Sequence, residues 1–294
     1  MKGLIVNADD FGFTEGTNDG IIQAFQNGIV TSTTILANGD AFDHAVELAR
    51  QNPKLGVGCH LSLIGGKVVA RAEKVPQLAD DRGFAPRTLS QLLFRILTKK
   101  IKKQELINEF HAQVERILSA GITPTHFDTH KHSAVLNPVM DAMVEVAQEF
   151  GIGCVRSPFE RPELRSITSN EARHRKKAHL KQTILSKFVS RQKIRFNTLL
   201  RKYNLRAPDY FFGTALTGMI DEQAIRGLFS RMSEGITELM CHPGISDQTL
   251  KSADTRLKEE RQRELSALTS SELPSLAKNL GIELISYREL AHYV

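Results

Sequence analysis

Short apolar runs rich in β-branched residues alternate along this chain with longer stretches of helical periodicity, and that alternation narrows the fold more than any other feature. Strand patterns fall near 3–9, 32–37, 56–63, 125–130, 153–157, 209–213, 237–242 and 283–287. Helical patterns fall near 16–28, 40–51, 88–99, 103–120, 138–150, 170–202, 221–233 and 255–280, the last broken near Pro274. Asp40 and Thr255 read as N-caps, and Gly28, Gly121, Gly151 and Gly281 stand where helices stop. Such alternation builds parallel βα units and predicts an α/β fold, an irregular (β/α) TIM-like barrel in one domain over 1–294. Two segments interrupt it. Residues 64–87, rich in Gly, Pro and charge, read as a long loop over the barrel mouth. Residues 158–208 read as a basic helical insertion with Leu180, Ile184, Leu185, Phe188, Ile194, Leu199 and Leu200 on its helical pattern.

Charge is distributed unevenly. Between Arg165 and Arg206 there are 13 Lys or Arg and one acid, Glu171, against a net charge of +6 for the whole chain. A basic amphipathic helix suits an anionic membrane surface. The exposed apolar positions of the same pattern admit a homodimer. Nucleic acid is not expected, because Phe188, Phe196 and Tyr203 are too sparse for a stacking platform. No apolar stretch approaches the roughly 20 residues needed to span a bilayer. Cys59, Cys154 and Cys241 are odd in number, far apart and set in or beside apolar segments, which reads as buried thiols in a reducing compartment. The expected location is cytoplasmic, peripheral to the inner membrane face.

The candidate chemistry sits at strand ends. The first strand, Gly3-Leu4-Ile5-Val6-Asn7-Ala8-Asp9-Asp10-Phe11-Gly12, ends in two adjacent carboxylates. These repel unless a cation lies between them or one keeps a proton. The third, Gly56-Val57-Gly58-Cys59-His60-Leu61, holds a histidine in an apolar run. In Thr125-His126-Phe127-Asp128-Thr129-His130-Lys131-His132, strand alternation puts His126, Asp128, His130 and His132 on one face. Asp128 is placed to orient a ligating imidazole through its second nitrogen. Met240-Cys241-His242-Pro243-Gly244 ends another apolar strand in a histidine, where a catalytic acid would sit. In a barrel the carboxyl ends of the strands converge on one mouth. One carboxylate and two imidazoles with open positions make a catalytic divalent-metal site.

These segments, with Gly28-Ile29-Val30-Thr31-Ser32-Thr33-Thr34, resemble the YdjC-like family of carbohydrate deacetylases, of which chito-oligosaccharide deacetylase is typical. The match runs through nearly the whole chain in the family's order. The resemblance implies a barrel related to the polysaccharide-deacetylase fold and a metal held by Asp10, His60 and His130. It implies Asp9 as general base and His242 as the acid. Phe11, Asp128, His132 and Arg156 stand as candidate substrate contacts. Lys131 departs from the histidine usual in the chito-oligosaccharide branch. The basic insertion and the Val155-Arg156-Ser157-Pro158 start resemble a branch associated with hopanoid glycolipid biosynthesis.

The implied reaction is metal-assisted hydrolysis of an N-acetyl group on an amino sugar, either an N-acetylglucosamine oligosaccharide or a glycolipid. Asp plus two His suits Zn²⁺, Fe²⁺, Co²⁺ or Mn²⁺ better than Mg²⁺, although the family resemblance implies magnesium. The same parts on a barrel also serve phosphoester hydrolysis or sugar isomerisation, with Arg156 as the strand-end arginine for a phosphoryl group. A membrane-binding protein without catalysis is the third class.

Overall fold

The computed structural model describes residues 1–161, 163–189 and 192–292. In chain order β1 (Lys2–Phe11), α1 (Glu15–Gln26), β2 (Ser32–Ile35), α2 (Phe42–Gln51) and β3 (Gly56–Leu61) come first. A long connection carrying α3 (Leu89–Leu97) leads to α4 (Lys103–Ser119), β4 (Phe127–Thr129) and α5 (Asn137–Glu149). Then come α6 (Asn170–His174), α7 (Lys176–Val189), α8 (Lys193–Lys202), β5 (Tyr210–Phe212), α9 (Glu222–Phe229) and β6 (Gly235–Cys241). The chain closes with α10 (Gln248–Ser252), α11 (Glu259–Leu268), α12 (Leu273–Asn279), β7 (Ile282–Leu284) and α13 (Tyr287–Leu290).

The strands pair in parallel in the order β4-β3-β2-β1-β6-β5. β1 is the centre. It follows β6 along one edge, from Lys2↔Gly235 to Ala8↔Cys241. On its other edge it takes β7 at Lys2–Leu4 and β2 from Asn7 onward. The sheet then curls. Val155 bridges Phe127 at the end of the sheet, and Cys154 bridges Arg206, which leads into β5. The pairing circuit thus returns to β6 and β1, and the result is an irregular (β/α) barrel.

Alternation along β1 sorts its side chains. Leu4, Val6 and Ala8 join the large core beneath the helices, whereas Ile5 packs inside the curl with Cys154, Ile236, Ile285 and Tyr287. Asn7 and Asp9 continue the Ile5 face. Asp10 should therefore point the opposite way, but the register slips between Ala8 and Phe11 and Asp10 has φ +71°. A bulge of this kind re-aims a side chain at a strand end. It lets two consecutive carboxylates serve one site.

Several boundaries differ from the sequence reading. The strand expected over 125–130 stops at Thr129. His130 starts a 3₁₀ turn in which Lys131 and His132 have φ of +53° and +51°. The segment near 153–157 makes isolated bridges instead of a strand, because its two neighbours take alternate residues. The single helix expected over 170–202 divides at Arg175, whose backbone leaves the helix. Leu185 and Phe188 lie outside the described side chains. Asp40 is not an N-cap: α2 starts from Ala41, whose N–H bonds Gly12 O. Thr255 instead accepts from Leu257 N at 3.3 Å, and α11 starts after Lys258. The expected 255–280 helix breaks, with Pro274 in the first turn of α12. Gly121, Gly151 and Gly281 have positive φ after their helices, but Gly28 does not. Its need is spatial, since a Cβ there would lie 2.3 Å from Leu268 O. The 64–87 connection is tied to α4: Glu109 accepts from Val69 N and Ala70 N, and Glu105 from Gln77 N and Leu78 N.

Candidate active site

Three ligand-type atoms converge at the carboxyl ends of β1, β3 and β4. His60 Nε2 and His130 Nδ1 are 3.2 Å apart. Asp10 Oδ1 lies 3.3 Å from the first and 3.2 Å from the second. Atoms bound to one ion at about 2.1 Å, at angles between octahedral and tetrahedral, stand about 3.0–3.4 Å apart. Asp10 Oδ1 is buried, and among the described residues no well-aligned hydrogen bond satisfies it. An orphaned carboxylate oxygen facing two imidazole nitrogens is the signature of a cation site, and these residues fit a divalent metal. His130 is the most open of the three, its side chain 24% exposed against 2% for His60.

Each member is held from behind. His60 Nδ1 is 2.7 Å from Asp128 Oδ1, and Thr34 Oγ1 donates to Asp128 Oδ2 at 3.1 Å. Burial pushes His60 down, but Asp128 and Asp10 outweigh it and raise its pKa to about 10. Without a metal, His60 is therefore protonated between two carboxylates. Asp10 Oδ2 accepts from the Arg261 guanidinium. Burial opposes its ionisation, yet Arg261 and the two imidazoles hold its pKa well below the usual range.

Asp9 stands beside this triangle with different partners. Arg156 grips it with two parallel bonds of 2.7 and 2.6 Å, and Asn7 Nδ2 donates to it at 3.0 Å. Burial raises the Asp9 pKa, but Arg156 prevails and keeps it ionised. Arg156 also reaches Asp128 Oδ2 at 2.6 Å and Glu238 Oε1 at 2.8 Å. Tyr287 donates to Glu238 Oε2 at 2.6 Å, and burial lifts Glu238 to about 7. His242 Nε2 is 4.0 Å from Asp9 Oδ2 and its Nδ1 is 4.0 Å from Glu264. The His242 backbone N–H donates to Glu264 Oε2 at 2.6 Å. Burial lowers the His242 pKa to about 4, so the ring is neutral at pH 7.

The four histidine-segment groups do not share one role. His126 is buried and stacks on Tyr287 at 3.6 Å between centroids. His132, turned by its positive φ, lies 3.1 Å from Thr214 Oγ1 and edge-on to Phe211. Of the expected substrate contacts, Phe11 is fully buried in the core, and Asp128 and Arg156 are as buried as Asp9 and Asp10 and bond to each other. At the loop tip Lys131 is exposed, and the desolvation it does suffer lowers its pKa despite the nearby Asp10.

Sequence reading missed Arg261, Glu264, Glu238, Tyr287, Asn7 and Thr34. A signal existed for three of them. On α11, Arg261 and Glu264 fall on the same helical stripe as Leu265 and Leu268, so a charged pair interrupts an apolar face. For Glu238, a lone acid in the apolar run Thr237–Cys241 was the equivalent sign.

Comparison with known proteins gives a consistent placement. A carbohydrate deacetylase of Geobacillus stearothermophilus is 32% identical over 286 residues, covering 97% of this chain and 96% of that one. One from Clostridium beijerinckii is 32% identical over 288 residues, covering 98% and 99%. A crystal structure from Enterococcus faecalis, of a proposed cellobiose-phosphate cleavage protein, superposes with a TM-score of 0.78 at 29% identity and covers 98% of each chain. The family model described as YdjC-like protein matches residues 3–279. This chain belongs to the YdjC-like protein family.

Proposed function

We propose that this protein is a metal-dependent hydrolase that removes the N-acetyl group from an N-acetylglucosamine-containing oligosaccharide or glycolipid. One observation carries the reading: Asp10 Oδ1, His60 Nε2 and His130 Nδ1 form a triangle of 3.2–3.3 Å beside a buried ionised carboxylate and a buried neutral imidazole. The relatives named carbohydrate deacetylase supply the substrate class. The reading takes 1–294 as one catalytic unit with 158–208 inserted in it.

Asp10, His60 and His130 would hold the ion, with Zn²⁺, Fe²⁺, Co²⁺ or Mn²⁺ favoured by the donor set over Mg²⁺. When bound, the ion supplies Lewis acidity for the acetyl carbonyl and acidifies water. Asp9, kept ionised by Arg156, takes a proton from the attacking water as its oxygen bonds the acetyl carbon. The C–N bond breaks and the leaving amine needs a proton. His242 delivers it, with Nε2 4.0 Å from Asp9 Oδ2 as the source of a relayed proton. Acetate and a free amine leave. Asp128 and Thr34 fix the His60 ring, and Arg156 couples Asp9 to Asp128. Arg156 is committed to three carboxylates, which removes the free clamp that phosphoester hydrolysis would need.

The test is acetate release from N-acetylglucosamine oligomers and from a lipid-linked N-acetylglucosaminide, with metal-free protein and after adding each divalent metal. Metal-dependent acetate is the expected result. Bound metal with no acetate from any of these substrates would overturn the deacetylase reading and leave the cation site standing.

A further inference from the structure

The connection between β3 and α4 carries a second feature that the site does not use. From Arg82 to Lys103 there are seven Lys or Arg and no Asp or Glu. Within it α3 is capped by Thr88, whose hydroxyl accepts from Gln91 N. The inward face of α3 is complete: Leu92 is buried, and Leu89 and Ile96 pack against the core. These positions follow the i, i+3, i+7 spacing of one helix face. Yet Leu93, Phe94 and Leu97 on the adjoining face are 37%, 60% and 71% exposed. They cluster within about 100° of arc at i, i+1 and i+4. No described residue covers them.

The charge around this apolar face is also unspent. Lys103 pairs with Glu145, and Arg95 donates to Gln77 O and Leu78 O. Arg87, Lys99, Lys100 and Lys102 are exposed, with no ion pair among the described residues. An exposed aliphatic and aromatic face rimmed by free cations is what a helix lying in a bilayer interface presents. A second copy of this chain would bring like charge against like charge. A single nucleic-acid strand would need stacked aromatics, which Leu93 and Leu97 do not provide.

Placement gives the face a use. The 62–102 connection leaves the carboxyl end of β3, directly after His60, so α3 belongs to the loops at the site's end of the sheet. The basic segment beyond Arg156 leaves from the same end. There Leu180 and Ile184 of α7 are exposed, one turn apart, with Lys176, Lys177 and Lys181 exposed around them. We infer that α3, supported by the outer face of α7, docks the protein on an anionic lipid bilayer with the active-site end turned toward the membrane. Leu93, Phe94 and Leu97 enter the interface, and the flanking lysines and arginines contact lipid phosphates. This goes beyond the deacetylase reading, and its test does not depend on turnover.

The experiment is co-sedimentation of the full chain with phosphatidylglycerol/phosphatidylcholine vesicles and with pure phosphatidylcholine vesicles, across a salt series. The protein is expected to pellet with the anionic vesicles only, and less so as salt rises. F94E/L97E is expected to lower partitioning by roughly tenfold or more, because it replaces buried apolar area with charge. L180E/I184E is expected to have a smaller effect. Circular dichroism and bound-metal stoichiometry check that the variants remain folded. The inference is overturned by any of four results: no pelleting with anionic vesicles at low salt, undiminished pelleting of folded F94E/L97E, a solution dimer that F94E/L97E dissociates, or binding to a single-stranded oligonucleotide without binding to vesicles.

Discussion

Two adjacent residues anchor two different halves of the site. Asp9 belongs to a closed half. Its Arg156 partner is buried among Asp9, Asp128 and Glu238, and Tyr287 completes the set. Asp10 belongs to an open half. Among the described residues its Oδ1 makes no well-aligned hydrogen bond and faces the His60 and His130 nitrogens at 3.3 and 3.2 Å, and Arg261 Nε and Nη1 have no hydrogen-bond partner. Buried polar groups are normally satisfied, so the closed half is a finished frame and the open half is built for something that binds. Asp9 is held in place by Arg156 and Asn7, while His60, between Asp10 and Asp128, still carries a replaceable proton.

The sharpest way to break this contrast is to remove a member of the open half. His60→Ala should abolish stoichiometric metal binding, measured by elemental analysis after dialysis, and turnover with it. Asp9→Asn should do the opposite. Metal content should stay near wild type while acetate release falls about 10²–10⁴-fold, the range for losing a general base. A variant that loses metal as well would erase the distinction between the halves.

Arg261→Met probes whether the second guanidinium matters to the ion or only to packing. With Asp10 Oδ2 released, metal affinity by calorimetry should weaken about 10- to 100-fold, as for other residues that orient a ligand. A structural role alone would lower the melting temperature without moving that affinity.

The smallest expected effect is a pH slope. Asp128 and Asp10 keep His60 protonated up to about pH 10 in the metal-free protein. Metal must displace that proton, so apparent affinity should rise about tenfold per pH unit and flatten above pH 10. The same shift stabilises the metal-free fold. That contribution is complete below the ordinary histidine pKa of 6.5 and is lost as pH rises through about 10. Thermal melts of metal-free protein across this window should show it. His242 gives the converse sign. With its pKa near 4, a role that starts from the neutral ring predicts activity constant at neutral pH and lost as pH falls through 4. Activity that instead declines from pH 4 upward would require a protonated His242 at the start of each turnover.

Much of this was legible in the chain itself. The strand that carries Asp9 and Asp10, the apolar run around His60 and the Thr125–His132 segment each announce their element by local pattern. Local pattern also misled. Strand alternation put His126, Asp128, His130 and His132 on one face, but the ladder ends at Thr129 and two left-handed residues send His132 toward Thr214. Arg156 read as a strand-end arginine, and nothing near it in the sequence announces the three buried acids that it bonds. The basic segment 165–206 drew attention by charge count, whereas α3 stood out only once its solvent exposure was known.

The sequence by itself determined the βα alternation, the helix stops at Gly121, Gly151 and Gly281, and which residue types could bind a metal or move a proton. These follow from periodicity, backbone preference and side-chain chemistry, all of which act over a few residues. Only the tertiary structure decided which acid meets which cation. Arg156 reaches Asp9 from 147 positions away, and Arg261 reaches Asp10 from 251. It also decided, through a one-residue slip in β1, that both carboxylates face the same site. Neither outcome has a local signature, because the closure of the barrel is what brings those strand ends and helices together.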